Sequence, residues 1–230
     1  MTPKEYLTMT VTSPTSVAPV DGADGRRASS MADPMPIALG LFAFALGVYA
    51  VRFIGIDAST ASAGSVTEGL NYAVLVAGIA EAVAGLFGIA RGIDYAAYVT
   101  TTFGIWLIGF YLLVTKGAES KEFTPNALAW YVLVLLVPVV ILAVPAFVHR
   151  NIPFAIAFVG LIVLLLFLGL GYHGVYNAVV DAQANKTAPD FGSNIGLLKV
   201  SGWAGLVAAA AIWFAMAVEV YTITGVLKKR

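Results

Sequence analysis

Six long, predominantly apolar stretches dominate this sequence, and they restrict its fold more than any other feature does. They cover roughly residues 36–54, 70–90, 95–115, 127–148, 153–175 and 202–224. Each stretch approaches the ~20 residues with which an α-helix crosses the hydrocarbon core of a bilayer. None of them alternates apolar and polar residues, as the strands of a membrane barrel do. The pattern predicts an all-α integral membrane protein, built as a bundle of six transmembrane helices.

The amino-acid composition excludes most other classes of protein. Hydrophobic residues make up 60% of the chain and charged residues only 11%, whereas an average soluble domain has about 25% charged residues. The formal net charge is zero and the longest basic run is the last three residues, so we expect no nucleic-acid partner. The chain has no cysteine, and its two histidines, His149 and His173, fall at opposite membrane faces. We therefore expect no disulfide, no metal site, no cofactor and no enzymatic centre.

The two parts of the chain differ in kind. Residues 1–34 are rich in Ser, Thr, Pro, Asp and Gly without periodicity, which predicts a disordered tail, and no apolar run near Met1 resembles a cleaved signal peptide. Residues 35–230 form the predicted six-helix transmembrane domain. With the amino terminus inside, the cytoplasmic segments hold eight Lys and Arg residues and the outer segments five. This bias predicts a multi-pass protein of the inner or plasma membrane with both termini, and hence the tail, in the cytoplasm.

One acidic residue, Glu81, interrupts the second apolar stretch. The residues that share its helix face are small: Ala77, Ala84, Gly85 and Gly88. Small residues at this spacing let another helix approach closely, and an intramembrane carboxyl normally faces protein or a wet cavity. We expect this face to be buried in protein, with Glu81 neutral at pH 7 because an apolar surrounding disfavours its charged form. Two roles remain open for Glu81, a structural acid that joins two helices or a group on a transport or proton path.

Short motifs recur in a fixed order along the six stretches. They are ADPMPIAL at 32–39, GIAE with AGL at 78–86, FG at 103–104 and GWAG at 202–205. Together they resemble the acetate/succinate transporter family, also called the GPR/FUN/YaaH-type family, over about residues 32–225. That family has Asn-Pro-x-Pro-Leu-Gly-Leu in its first helix and Gly-Gly-Ile-Ala-Gln followed by Ala-Gly-Leu in its second. The positions that correspond to these two motifs include Asp33, Pro34, Pro36, Gly78 and Gly85.

The resemblance implies a fold, an assembly and a set of site residues. Members of the family are six-helix protomers that form hexamers, in which each protomer has its own pore for small monocarboxylates. The family's pore is narrowed by a Phe, a Tyr and a Leu, which by motif position correspond to Phe42, Phe103 and, more loosely, Leu161. Apolar rings at a constriction exclude bulk water and favour a small organic acid over inorganic ions.

The sequence departs from the family pattern at three informative positions. Asp33 replaces an Asn, Phe103 replaces the Tyr of the constriction, and Glu81 replaces a Gln. The change at Phe103 removes a hydroxyl that could hold a carboxylate. The change at Glu81 introduces an ionisable group, whose charged form would repel acetate near the predicted path.

Three further features have two interpretations each. Thr100, within a run of three threonines, could line the path or bond back to its own helix backbone. His173, beside Tyr172, could belong to a polar pore mouth or to an interfacial belt. The glycines of GLGYHG at 169–174 match a dinucleotide fingerprint, but that motif requires a preceding strand. Here it ends a predicted membrane helix, so helix packing is the expected role of the glycines.

The sequence therefore predicts a membrane channel or transporter for small monocarboxylates of the acetate type, with proton coupling, as in a symporter, left open. Its expected partners are a small organic acid, the lipid bilayer and further copies of the same chain. The first alternative is a hexameric channel of the urea or amide type, because a neutral path would suit Phe103. The second is a non-transporting membrane subunit or scaffold that has kept the fold.

Overall fold

The computed structural model describes residues 34–55, 64–92, 94–117 and 124–227, and within them it does not describe the side chains of residues 64–69, 94 and 193. The described chain contains six α-helices and no strand. They are α1 (Met35–Ile54), α2 (Gly64–Ala90), α3 (Asp94–Leu112), α4 (Pro125–Val148), α5 (Ile152–Asn185) and α6 (Gly192–Ile223), and a π-helical turn, Leu113–Gly117, prolongs α3. Each helix is long and apolar enough to cross a membrane. The predicted six-helix, all-α membrane fold is confirmed, whereas the predicted tail lies, apart from Pro34, outside the described residues.

Proline and polar caps mark where several of these helices begin. Pro34 precedes α1 and Pro36 lies in its first turn, where a proline costs no helical hydrogen bond. The side chain of Thr124 accepts a hydrogen bond from the backbone N–H of Ala127 at the start of α4. Asn151 caps α5 through the N–H of Phe154 in the same way. These local signals explain why the helix starts lie close to the predicted ones.

The six helices follow one another around a ring. Helix α1 packs against α2 and α6, α2 packs against α3, and α5 packs against both α4 and α6. Side chains close the remaining seam, between α3 and α4. Tyr131 donates a 2.9 Å hydrogen bond to the carbonyl of Trp106, whose indole N–H bonds back to the carbonyl of Tyr131, and the two rings stack. The hydroxyl of Tyr95 bonds to the carbonyl of Leu142 at 2.6 Å. The ring encloses a space that the α1, α3 and α5 helices line.

The small face of α2 forms a close helix contact in this ring. Gly78, Glu81, Ala84, Gly85 and Gly88 are all buried, as the sequence predicts. A Cβ atom on Gly78 would lie 3.0 Å from the Cβ of Leu107 and 3.1 Å from the carbonyl oxygen of Gly104. The absence of side chains on both sides therefore lets α2 and α3 touch backbone to backbone.

Helices α5 and α6 are longer than the sequence predicts. The 34 residues of α5 correspond to about 51 Å at ~1.5 Å per residue, whereas a bilayer core is about 30 Å thick. The fifth apolar stretch of the sequence ends near residue 175 and the sixth begins near residue 202, whereas α5 continues to Asn185 and α6 begins at Gly192. Lys186, which has φ +56°, caps the end of α5. The polar residues of this region thus extend α5 and α6 beyond their apolar stretches, and residues 186–191 connect the two helices.

The glycines of the GLGYHG segment serve helix packing. The segment lies within α5, with no strand before it among the residues that the structure describes. Gly169 faces the side chain of Leu133 on α4, and a Cβ on Gly171 would lie 2.7 Å from Leu198 on α6. The packing interpretation of this motif is therefore correct.

Candidate functional site

A cavity of about 40 Å³ lies inside the helix ring. Helices α1, α3 and α5 supply most of its lining, and α2 and α4 supply one residue each. The lining consists of aliphatic and aromatic side chains, among them Phe42, Tyr49, Phe103, Trp106, Leu135 and Leu161. None of its lining residues carries a carboxylate, an ammonium or a guanidinium group. The cavity is therefore suited to a small, largely apolar solute rather than to a hydrated ion.

The structure brings the three predicted constriction residues to this one cavity. The rings of Phe42 on α1 and Phe103 on α3 lie with their centroids 5.1 Å apart, tilted by 37°. Leu161 reaches the same cavity from α5. All three side chains are buried. Their contact with a passing solute stays a prediction, but their common location follows from how α1, α3 and α5 are turned in the ring.

A second pocket lies on the near side of the Phe42–Phe103 pair. We call the end of the bundle at which α1, α3 and α5 begin the near face, and the end at which they finish the far face. This pocket of about 250 Å³ is lined by Leu39, Tyr95, Val99, Thr100, Asn151 and Glu219, among others. Because Leu39 and Val99 precede Phe42 and Phe103 by about one helical turn, the aromatic pair separates the near pocket from the central cavity.

Two tyrosines close the central cavity toward the far face. The hydroxyl groups of Tyr49 on α1 and Tyr172 on α5 lie 3.1 Å apart and are hydrogen-bonded. The ring of Phe53 packs edge-on against Tyr172 at 6.2 Å. Tyr49 is not among the site residues that the sequence predicts. Its position seven residues after Phe42 is a usable signal, since two helical turns place both side chains on the same face.

The two remaining polar candidates lie in different surroundings. Thr100 is buried and donates to the carbonyl of Ala96 at 2.9 Å, which agrees with bonding to its own helix, while the residue also lines the near pocket. His173 is exposed in the second half of α5, and its Nδ1 lies 3.0 Å from Oδ1 of Asn126 at the start of α4. It does not line the central cavity. The structure thus places Thr100 beside the near pocket and His173 next to Tyr172, outside the central cavity.

Glu81 does not line either cavity, although it is almost fully buried. Its side chain is 1% exposed, and its Oε2 atom has no hydrogen-bond partner among the residues that the structure describes. Within that same part of the chain, the hydroxyl oxygen of Thr101 on α3 is likewise buried without a partner. Buried polar atoms without partners are rare in folded proteins and call for an explanation. Both atoms belong to the interface of α2 and α3.

The described residues of the family motifs lie at a helix start or in a helix contact. Asp33 lies outside the described residues, and Pro34 and Pro36 form the start of α1. Gly78 and Gly85 lie on the α2 face that touches α3, and a Cβ on Gly85 would lie 2.7 Å from the backbone nitrogen of Thr101. These residues therefore shape the helix ring and do not line the central cavity.

Comparisons with known proteins agree with this architecture. The model of the GPR1/FUN34/yaaH family matches residues 22–226. The solved structure of the bacterial acetate channel SatP is similar in fold, with a TM-score of 0.62 and 18% sequence identity over 84% of this chain and 94% of that chain. At this level of identity the likeness shows a common fold. No curated protein sequence matches this chain.

Proposed function

This chain belongs to the GPR1/FUN34/yaaH family, and we propose that it lets a small monocarboxylate such as acetate cross the membrane through the central cavity of the helix ring. The observation that carries the proposal is the apolar cavity on the inside of the ring, bordered by the contact between Phe42 and Phe103. The common fold with SatP, which is an acetate channel, supports the same conclusion.

The chemistry of the lining favours a small organic acid over an inorganic ion. A hydrated inorganic ion would lose water at the Phe42–Phe103 pair without gaining polar contacts, since both side chains are hydrocarbon rings. Acetate carries a methyl group that aromatic and aliphatic side chains can contact, and its carboxyl group is small. The volume of about 40 Å³ also restricts the solute to a few heavy atoms.

We also propose the surroundings in which this path operates. Both termini lie in the cytoplasm, the membrane is the inner or plasma membrane, and the protein assembles as a homo-oligomer, a hexamer by the family resemblance. Residues at successive turns of α6 face outward, among them Trp203, Val207 and Phe214. An apolar outer face of this kind suits contact with lipid or with a neighbouring copy.

A neutral solute such as urea or a simple amide is the second candidate. The observation that favours it is the absence of any charged side chain among the lining residues of the central cavity, together with a phenylalanine at position 103, where the family has a tyrosine. Without a fixed positive charge, the cavity offers an anion little electrostatic compensation. Proton coupling would let an acid cross as a neutral species and belongs to the first candidate.

Uptake into vesicles tests the proposed function. The purified protein is reconstituted into liposomes, and influx of labelled acetate, urea and chloride is measured and corrected for protein-free liposomes. We expect saturable acetate influx well above the control and no chloride influx. Influx of urea alone would support the neutral-solute channel instead. If no solute entered faster than in protein-free liposomes, the protein would be a membrane subunit or scaffold without transport.

A further inference from the structure

Among the described residues, Glu81 is the one buried acid. The proposed path does not use it, and its location suggests how it acts. We propose that ionisation of Glu81 regulates the passage of a carboxylate past the Phe42–Phe103 pair, with the neutral acid permitting passage and the carboxylate opposing it. The inference rests on the proposed function and adds a regulatory residue behind the constriction.

The helix register places Glu81 at the depth of the aromatic pair. On α2, Gly78 touches Gly104 and Ile108 of α3, whereas Gly85 touches Thr100 and Thr101. Glu81 lies midway between these two glycines and therefore opposite residues 101–104 of α3, the turn that contains Phe103. The contact of α2 with its other neighbour, α1, places Glu81 at the same depth.

Antiparallel packing fixes the level on α1. A Cβ on Gly88 of α2 would lie 2.5 Å from the terminal methyl group of Met35. Moving two turns along both helices, which run in opposite directions, brings Glu81 level with Phe42. The carboxyl group of Glu81 thus lies on the buried face of α2. Along the helix axes it is at the same depth as the contact between Phe42 and Phe103.

No described side chain of the two helices packed against α2 would neutralise a carboxylate at this depth. Among the described side chains, the titratable and charged groups of α1 are Tyr49 and Arg52, two and nearly three turns from Phe42. Those of α3 are Tyr95, Tyr98 and Tyr111, none of which lies in the 100–108 stretch that faces α2. On α2 and in the turn after it they are Tyr72 and Arg91, nine and ten residues from Glu81.

The absence of a nearby cation has an electrostatic consequence. Packed helices lie about 8–10 Å apart, so a solute beside Phe103 would be roughly 10 Å from the Glu81 carboxyl. At an effective dielectric constant of about 20, repulsion between two unit negative charges at that distance lowers a rate by roughly 15-fold. A neutral Glu81 exerts no such repulsion. The expected ratio of anion flux between the two states is therefore on the order of tenfold.

Protons can reach Glu81 from the near pocket. Thr100 and Thr101 lie about one turn from Glu81 toward the near face, because both touch Gly85. Thr100 lines the near pocket together with the polar residues Tyr95, Asn151 and Glu219. The hydroxyl oxygen of Thr101 has no partner within the described residues, so it is free to accept and donate hydrogen bonds in this interface. The two hydroxyl groups thus lie between the near pocket and Glu81, where they can relay protons to its carboxyl group.

Flux at constant anion concentration tests the inference. Liposomes are prepared with the same pH on both sides, from mildly acidic to mildly alkaline, and total acetate is adjusted to keep its anion constant. For the natural chain we expect acetate flux to fall about tenfold as pH rises, in line with the repulsion estimated above. Glu81→Gln is expected to keep the high flux of the acidic range at every pH.

A matched control removes a carboxylate elsewhere. Asp181→Asn changes an exposed acid near the far end of α5, away from the Phe42–Phe103 pair, and should keep the pH dependence of the natural chain. If Glu81→Gln retained that dependence, or if it abolished flux in an intact protein, the inference would be overturned. The second outcome would instead make Glu81 an obligatory proton carrier.

A spectroscopic measurement separates this inference from the proposed function. The infrared band of a protonated carboxyl, taken as the difference between the natural chain and Glu81→Gln, should disappear as pH rises through the range in which flux falls. A band that persisted at every pH would overturn the inference even with acetate flux intact. If the protein moved no acetate at any pH, the proposed function would fail as well, whatever the infrared band showed.

Discussion

At the residue scale, Phe42 has a clear physical role to test. Its ring contacts Phe103 at a centroid distance of 5.1 Å and separates two cavities. Phe42→Ala should join these cavities and admit larger acids, such as propionate and butyrate, at a stability cost of about 3–5 kcal/mol for a buried phenylalanine. The measurement is the ratio of butyrate to acetate influx in proteoliposomes.

The same helix offers a control for Phe42. Phe44 is 49% exposed on the outer side of α1, so Phe44→Ala removes an equal ring without touching the cavity. We expect its influx ratio to match that of the natural chain. An unchanged ratio in Phe42→Ala would remove Phe42 from the path.

The Tyr49–Tyr172 pair gives a second prediction at this scale. The hydroxyl groups are hydrogen-bonded at the far end of the cavity, and a single hydrogen bond contributes about 1 kcal/mol, or roughly fivefold in an equilibrium constant. Tyr49→Phe should therefore raise acetate influx severalfold by loosening the far closure. Tyr98→Phe, on an exposed residue of α3, serves as the control, and equal influx in both variants would show that the pair does not limit passage.

At the scale of helices, the backbone contact between α2 and α3 depends on glycine. A Cβ on Gly104 would lie 2.8 Å from both the Cα of Ala82 and the carbonyl oxygen of Gly78, which are backbone atoms that cannot yield individually. Gly104→Ala should lower the free energy of unfolding by about 1–3 kcal/mol, as overpacking does. The thermal unfolding midpoint of the purified protein measures this effect.

Helix α6 supplies the matched glycine. A Cβ on Gly196 would meet nothing within 4 Å. Gly196→Ala should therefore leave the free energy of unfolding unchanged or raise it by at most about 0.5–1 kcal/mol, through the higher helix preference of alanine, and the unfolding midpoint should not fall. Equal effects of the two substitutions would contradict the proposed close contact.

The helices also show which structural features were predictable from sequence. The apolar length of each span indicated all six helices, and the small residues around Glu81 indicated a buried face of α2. The helical residues 176–185 and 192–201 were not predicted, because polar residues outside the membrane are compatible with either an exposed helix or a loop. The α6 extension nevertheless contains Leu198, a buried apolar residue that continues the packed face of the span.

At the scale of the whole molecule, the orientation in the membrane is testable because the chain contains no cysteine. A single cysteine at Ser29 should be protected from an impermeant thiol reagent in intact cells if both termini are cytoplasmic. A cysteine at Thr187, in the exposed connection between α5 and α6, should react. Labelling at Ser29 with protection at Thr187 would reverse the orientation.

Assembly is the second prediction for the whole molecule. We expect native mass spectrometry or mass photometry in nanodiscs to give six times the 24.1 kDa of one chain. The outward residues of α6, including Trp203 and Phe214, are positioned for contact with lipid or a neighbouring copy. A mass of one chain in mild detergent and in nanodiscs would contradict the hexamer.

The sequence by itself determined the number of spans, the approximate starts of the first, fourth and fifth helices, and the buried face that contains Glu81. These properties depend on local chemistry: the length of an apolar run, a cap, or a repeat of 3.6 residues. Phe42 and Phe103 were identified through the family resemblance, and their position in this fold could not be calculated from either helix alone.

Only the tertiary structure decided which helix faces meet. It brought Phe42 against Phe103, joined Tyr49 to Tyr172, closed the α3–α4 seam through Trp106 and Tyr131, and placed Glu81 behind the aromatic pair. The physical reason is that every membrane helix here is apolar over most of its surface, so hydrophobicity does not distinguish an inner face from a lipid-facing one. The rotation of each helix follows from where glycines allow backbones to touch and where large rings must fill the remaining space.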